Sequence, residues 1–275
     1  TLTTEQHLQN GGSQFDASTT SGQGSFLTTS GNLNLSANND LNISGSQIVT
    51  GGALTGSAGH DLTVDAYMGH QNVNLDAHSD TVDAHYQASH DTAQGSSLQA
   101  GGNITLSSGH DLTLQDAHLT SGQGDINLAA QNNVTLATAT ETHQVHDERH
   151  ESSDGILSSH TRDDSLNDTR TTQQGSTLSA ENIHISAGND ITVSGSQAAA
   201  AYDITLAAGN DVTITSAQET HSHDEYHNET RDGFFGSGNS ITYGHQDQTT
   251  TDDGHSTTQL SSAMGALLGQ VDISA

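Results

Sequence analysis

The chain contains no cysteine, proline, tryptophan or lysine, and its only cations are Arg149, Arg162, Arg170 and Arg231. Without cysteine no disulfide can staple a small core, and without proline no prolyl isomerisation slows folding and no missing donor interrupts a sheet ladder. Aromatic residues make up 3% of the sequence and hydrophobic residues of all kinds 30%. A broad globular core cannot be built from so little apolar material, and such a composition borders on that of disordered chains. Four arginines stand against 33 acidic residues, for a net charge of −29. Nucleic-acid binding requires cations that displace phosphate counterions, so it is excluded as a function class. Docking on anionic lipid is disfavoured on the same ground. No long apolar run, leader segment or lipidation motif is visible. The 275 residues begin and end inside patterned sequence, so a single segment, 1–275, of a longer protein is expected.

What is present is a repeat. Gly or a polar residue, then Asn or Asp, precedes two apolar residues spaced two apart. A small-residue corner and another Asn or Asp follow, then two more apolar residues two apart. The pattern reads GNLNLSANNDLNI at 31–43, GNITLSSGHDLTL at 102–114 and GDINLAAQNNVTL at 124–136. It returns as ENIHISAGNDITV at 181–193 and YDITLAAGNDVTI at 202–214. GALTGSAGHDLTV at 52–64 carries Gly56 at an apolar position, QNVNLDAHSDTV at 71–82 reads as a degraded copy, and GQVDISA at 269–275 is half of another.

In each full copy the two apolar pairs start eight residues apart, as in Leu33 and Leu41 or Ile183 and Ile191. Period-2 alternation marks each as a half-buried strand, and the corner between them is rich in residues that tolerate turns. Asn and Asp at Gly-Asn-Asp 188–190 and 209–211 are expected to bond their own backbone. No calcium-binding nonapeptide of the β-roll type occurs. Adjacent copies are displaced by 21 or 22 residues, with a third short segment such as Gln47-Ile48-Val49 or Ala117-His118-Leu119 closing the coil. A unit of this size cannot bury its apolar face alone, whereas equivalent strands stacked ~4.8 Å apart share one narrow core. The fold expected is all-β: a right-handed parallel β-helix with long polar insertions.

The insertions are expected at about 1–23, 76–94, 137–174 and 215–266, as extended hairpins or mobile loops on one side. Gly24-Ser25-Phe26-Leu27, Gly95-Ser96-Ser97-Leu98 and Gly175-Ser176-Thr177-Leu178 each lead into a fresh coil. Met264 to Leu268 reads as a strand re-entering the coil, with a small packed helix as the alternative.

The insertions hold most of the histidines. Glu141-Thr142-His143 followed by His146-Asp147-Glu148-Arg149-His150 recurs as Glu219-Thr220-His221 followed by His223-Asp224-Glu225-Tyr226-His227. Imidazole with carboxylate suits Zn²⁺ or Ni²⁺, which makes His143, His146, Glu148, His150, His221, His223, Glu225 and His227 candidate ligands for a divalent metal. On a strand, His146, Glu148 and His150 share a face, as do His223, Glu225 and His227. The plainer reading is a solvated polar stretch duplicated with the repeat, because alternate side chains of a strand stand about 6.5–7 Å apart. In that reading there is no cofactor. Protonating all 18 histidines would remove more than half of the negative charge, so self-repulsion in the insertions would relax below about pH 6.5. No catalytic motif is present, and a polysaccharide-cleaving β-helix would need cations that this chain lacks.

The repeats, above all SAGNDITVSGSQ at 186–197 and LAAGNDVTITSAQET at 206–220, resemble the haemagglutinin repeats of two-partner-secreted exoproteins. That family includes filamentous haemagglutinin adhesins and contact-dependent growth inhibition toxins of the CdiA type, whose second repeat region is the part most similar. The resemblance covers nearly the whole chain. It implies a non-catalytic filament, exported through an outer-membrane transporter and displayed at the bacterial cell surface. In a toxin of this kind the segment serves delivery to a target cell's surface or outer membrane, and an immunity protein would accompany the downstream toxin domain. The alternative is an adhesin that binds host or neighbouring cells.

Overall fold

The computed structural model describes residues 2–237 and 240–275. Residue 1, at the head of the first expected insertion, and residues 238–239, within the last, lie outside the described residues. The described residues form 27 strands and no helix.

Three parallel stacks build the body. The first contains Phe26–Thr29, Gln47–Thr50, Ser96–Ala100, Ala117–Ser121, Thr177–Ala180, Gln197–Ala200 and Ala263–Ala266. The second contains Leu33–Ala37, Leu54–Ala58, Ile104–Ser108, Ile126–Ala130, Ile183–Ala187, Ile204–Ala208 and Val271–Ser274. The third contains Leu41–Ser44, Leu62–Asp65, Leu112–Gln115, the start of Val134–Asp154, Ile191–Ser194 and Val212–Thr215. One strand from each stack makes one coil, so the molecule is a parallel β-helix. Met264 lies on the strand Ala263–Ala266, paired in parallel with Gln197–Ala200, so this segment is a coil strand and not a helix.

Register makes the core. Leu54, Ile104, Ile126, Ile183 and Ile204 sit directly above one another and are almost completely buried. Leu62, Leu112, Val134 and Ile191 form a second row, and Ile48, Leu98, Leu119 and Leu178 a third. Each fully buried aliphatic side chain contributes about 1.5–3 kcal/mol of transfer free energy. The rows concentrate the few apolar residues on one axis, which is how a sequence so poor in them folds.

Polar ladders seal the corners. Asp61 N–H donates to Asp40 Oδ1, Asp111 N–H to Asp61 Oδ1, Asn133 N–H to Asp111 Oδ1, Asp190 N–H to Asn133 Oδ1 and Asp211 N–H to Asp190 Oδ1, all between 3.0 and 3.2 Å. The corner Asp and Asn side chains thus bond the backbone of the next coil, not their own as expected. A long stack of these bonds forms only once coils are superposed, so it rewards correct register. Asn32, Asn103 and Asn182 do the same at the preceding corner, accepting from Ala53, Asp125 and Asp203. At the third corner Ser46, Ser176 and Ser196 are buried, and each hydroxyl accepts a backbone N–H from the coil beside it.

Four antiparallel hairpins leave one side: Leu2–Asn10 with Ser13–Ser21, Tyr67–His78 with Val82–Gln94, Val134–Asp154 with Ser159–Gly175, and Ala217–Ser237 with Ser240–Leu260. Residues 71–82 are therefore not a degraded coil. They lie on the second hairpin, which starts at Tyr67 rather than near 76. Their apolar residues alternate as a coil's do, but no stacked partner lies above or below them.

The last three hairpins each leave the third stack after two coils. The intervening coils turn sharply instead, at Gly45 (φ +54°), Asp116 (φ +50°) and Gly195 (φ +55°). Gly195 is also a place of close approach, where a Cβ would lie 2.6 Å from Thr138 Cγ2 and 2.8 Å from Ala217 Cβ, at the roots of the third and fourth hairpins. Two strands per hairpin and two coils per hairpin give the same spacing, ~4.8 Å, on the body and on the side. The hairpins therefore join into one sheet.

Candidate functional site

The four hairpins form a broad side sheet that stands apart from the aliphatic core of the body. Its eight antiparallel strands run in the order of the hairpins, with Ser13–Ser21 paired to Tyr67–His78, Val82–Gln94 to Val134–Asp154, and Ser159–Gly175 to Ala217–Ser237. Thr, Gln, Asn, His and Asp dominate these strands, and cross-strand side-chain pairs hold the sheet together.

Register places Asp16, Asn74, Gln87, His146 and Asn167 in one row, and Ser18, Asn72, Ser89, Gln144 and Thr169 in the adjacent row of the same face. These residues line a groove of about 720 Å³. Its floor is a band of side-chain amides and hydroxyls. The His7 ring is hydrogen-bonded to Asp16 at its edge, and this bond, with a second from Gln14, holds the Asp16 carboxyl below the usual range. The opposite face is more apolar, with Leu8, Phe15, Leu75 and Tyr86 aligned across four strands.

The eight histidine and glutamate candidates are all on this sheet. His146, Glu148 and His150 share the groove face, as strand alternation requires. His143 points to the other face, where its ring meets that of His90 edge-on at 5.5 Å. His221, His223, Glu225 and His227 also lie on that other face. The two similar motifs thus face opposite sides and cannot offer ligands jointly, because register, not motif similarity, decides the face.

Five of the six histidines contact an Asn or Asp on a neighbouring strand. His146 Nδ1 contacts Asn167 Oδ1 at 2.5 Å, and His150 Nδ1 contacts Asp163 Oδ1 at 2.5 Å. His221 Nε2 and His223 Nδ1 share Asp168 Oδ2 at 2.8 and 3.2 Å, and His227 Nδ1 contacts Asp164 Oδ1 at 2.5 Å. Asp163 raises the pKa of His150, and Asp168 raises that of His223. His221 above all holds Asp168 below the usual carboxylate range against an opposing effect of burial, with a further lowering from His223. At Asp164 burial pushes upward, but His227 and Arg162 together outweigh it. These are mutual charge contacts spread along strands. None of the eight converges with two others on one point.

The arginines serve the same network. Arg149 pairs with Glu151, Arg162 Nε with Asp164 at 2.7 Å, and Arg231 Nε with Glu229 at 2.8 Å, each two residues along its own strand. The amide-rich floor escaped sequence reasoning. Its signal was the alternation of Asn72, Asn74 and Asp76, which a coil pattern had absorbed.

Comparison with known proteins agrees with this architecture. The hemagglutinin-repeat family matches over residues 2–81, 77–161 and 157–275. No curated protein matches, and no solved structure matches. Three consecutive matches that together span nearly all of the chain, on coils and hairpins alike, show that it belongs to the hemagglutinin-repeat family.

Proposed function

We propose that this segment is a non-catalytic stretch of a secreted, surface-displayed filament, in which the coils set reach and the side sheet makes contact with a neighbouring or host cell. The observation that carries this reading is the continuous eight-stranded sheet with its amide-lined groove. A mere spacer needs only the stacked coils. Four hairpins held in register build a broad second surface at an entropic cost of more than one hundred ordered residues, each about 1–2 kcal/mol. Planar amides and hydroxyls without deep enclosure suit recognition of polar surface groups rather than chemistry on a sequestered substrate.

Hemagglutinin repeats support export by two-partner secretion through an outer-membrane transporter and a place at the cell surface. In a contact-dependent growth inhibition toxin the same contact would precede delivery of a toxin domain, with an immunity protein protecting the producer.

Cell-binding assays on the displayed full-length protein, with the second hairpin excised, test the reading. Lost attachment is expected. Retained attachment with lost toxin entry would move the role to delivery, and loss of neither would remove the sheet from function.

A further inference from the structure

The coil corner holds a second group of imidazoles, away from the side sheet. Asn39, Asn132, Asn189 and Asn210 each precede the Asp or Asn of the corner ladder. In two adjacent coils histidine stands there instead, as His60 and His110. Stacking lays their rings parallel, 4.7 Å apart with 10° between planes. Asp61 reaches both: its Oδ2 is 3.0 Å from His60 Nδ1 and its Oδ1 is 3.0 Å from His110 Nδ1. Asp40 Oδ1 lies 3.3 Å from His60 Nδ1, and Asp111 Oδ2 lies 3.2 Å from His110 Nδ1.

We propose that His60, Asp61 and His110 form a binding site for a borderline divalent transition metal such as Zn²⁺, joining two coils. One donor atom from each of the three lies within 4.8 Å of the others, the only such group among the described residues. Two imidazole nitrogens with one carboxylate oxygen are the donor set these ions prefer, with water completing the shell on the open side. Metal–nitrogen bonds of about 2.0–2.1 Å require donors closer than 4.8 Å. The side chains are about half exposed, so they can close in without moving the core.

The backbone holds the arrangement in place. His60 N–H donates to Asn39 O and His110 N–H to His60 O, both at 2.9 Å. Asp61 Oδ1 accepts the Asp111 N–H at 3.1 Å, and this bond, followed by that from His110, keeps its carboxyl below the usual range and so ionised. The two rings come from residues fifty positions apart, separated by the second hairpin, so a bound ion would clamp the coils on either side of it. The hairpin histidines lack this geometry: no three metal-ligating side chains of the described hairpins bring their donor atoms as close together.

The experiment compares the 275-residue chain with His60→Asn/His110→Asn, which restores the residue used at four other corners and so preserves the fold. His146→Asn/His150→Asn is the control. ZnCl₂ is titrated by calorimetry and the rise in Tm is recorded. The site predicts that the corner variant loses the tightest equivalent and the Tm rise, while the control keeps both. Survival of both in the corner variant, or their loss in the control alone, overturns the assignment. So does a wild-type chain whose Tm does not respond to Zn²⁺. Ring-proton broadening by trace Cu²⁺ gives a site-resolved check: His60 and His110 are expected to broaden first, and earlier broadening of hairpin histidines counts against the site.

Discussion

Leu106 fills the space that Gly56 leaves in the coil stacked against it. A Cβ on Gly56 would lie 2.8 Å from Leu106 Cδ2 and 3.6 Å from the methyls of Leu41 and Leu62. The one departure from the apolar pattern is therefore compensated by neighbours that lean inward, not left as a void. Gly56→Leu, which restores the consensus of the repeat, is expected to destabilise the chain by about 1–3 kcal/mol through overpacking. Urea unfolding measures this, and a midpoint at or above wild type would mean that the gap is real.

Leu112 lies fully buried between Leu62 and Val134 in the second row. Leu112→Ala is expected to cost about 2–5 kcal/mol, the range for a cavity in a core that relaxes only in part. The same unfolding curves also report whether the transition stays single, or whether coils on the two sides of the lesion unfold separately, as a quasi-one-dimensional stack allows.

Asn133 Oδ1 accepts from the Asp190 N–H at 3.2 Å and from Asn189 Nδ2 at 3.0 Å. Removing it leaves a backbone donor of the next coil without its partner, so Asn133→Ala is expected to lose about 1–3 kcal/mol. Amide hydrogen exchange should show lost protection centred on Asp190. Protection lost elsewhere but retained there would contradict the ladder.

His118 Nε2 lies 3.3 Å from the buried Asp116 carboxylate, which raises the pKa of His118 above 6.5 despite an opposing effect of burial. A raised histidine pKa stabilises the fold fully below about pH 6.5, and that contribution fades as pH rises through the higher folded-state value. Asp116→Asn should bring the His118 titration back toward its ordinary midpoint and remove this slope. A proton NMR titration reads the midpoint directly, and an unmoved midpoint would assign the shift to another neighbour.

Replacing residues 66–95 with one glycine converts Asp65 to Ser96 into the turn that Ser44, Gly45 and Ser46 make one coil earlier. The body is expected to keep its β-sheet circular dichroism, because the hairpin contributes nothing to the aliphatic rows. The groove would vanish with Asn72, Asn74 and Gln87. Collapse of the whole fold would show that the side sheet supports the body as well as decorating it.

The coils were legible because their constraints are local and periodic. Leu33 and Leu41, or Ile183 and Ile191, repeat at spacings that one strand and one corner impose, and every coil states them again. The family resemblance rested on the same strings. The side sheet was much less legible. Neighbouring hairpins pair residues as far apart in the chain as Ser159 and Asp232, and alternating polar residues do not announce which of two faces they occupy. The run 71–82 shows the ambiguity: Val73 and Leu75 alternate as a coil's residues do, and only the lack of a stacked partner marks them as hairpin. For the same reason His146 and His223, alike in their flanking residues, ended on opposite faces.

Composition and period by themselves determined that this chain is a stack of β coils with a thin aliphatic axis, because few apolar residues at regular intervals can be buried in no simpler way. Tertiary structure alone decided that the hairpins fuse into one sheet, that Asn and Asp bond across coils, and that His60 meets His110. Those outcomes depend on superposition, which sets distances between residues far apart in the chain at the strand spacing, and no local pattern contains that distance.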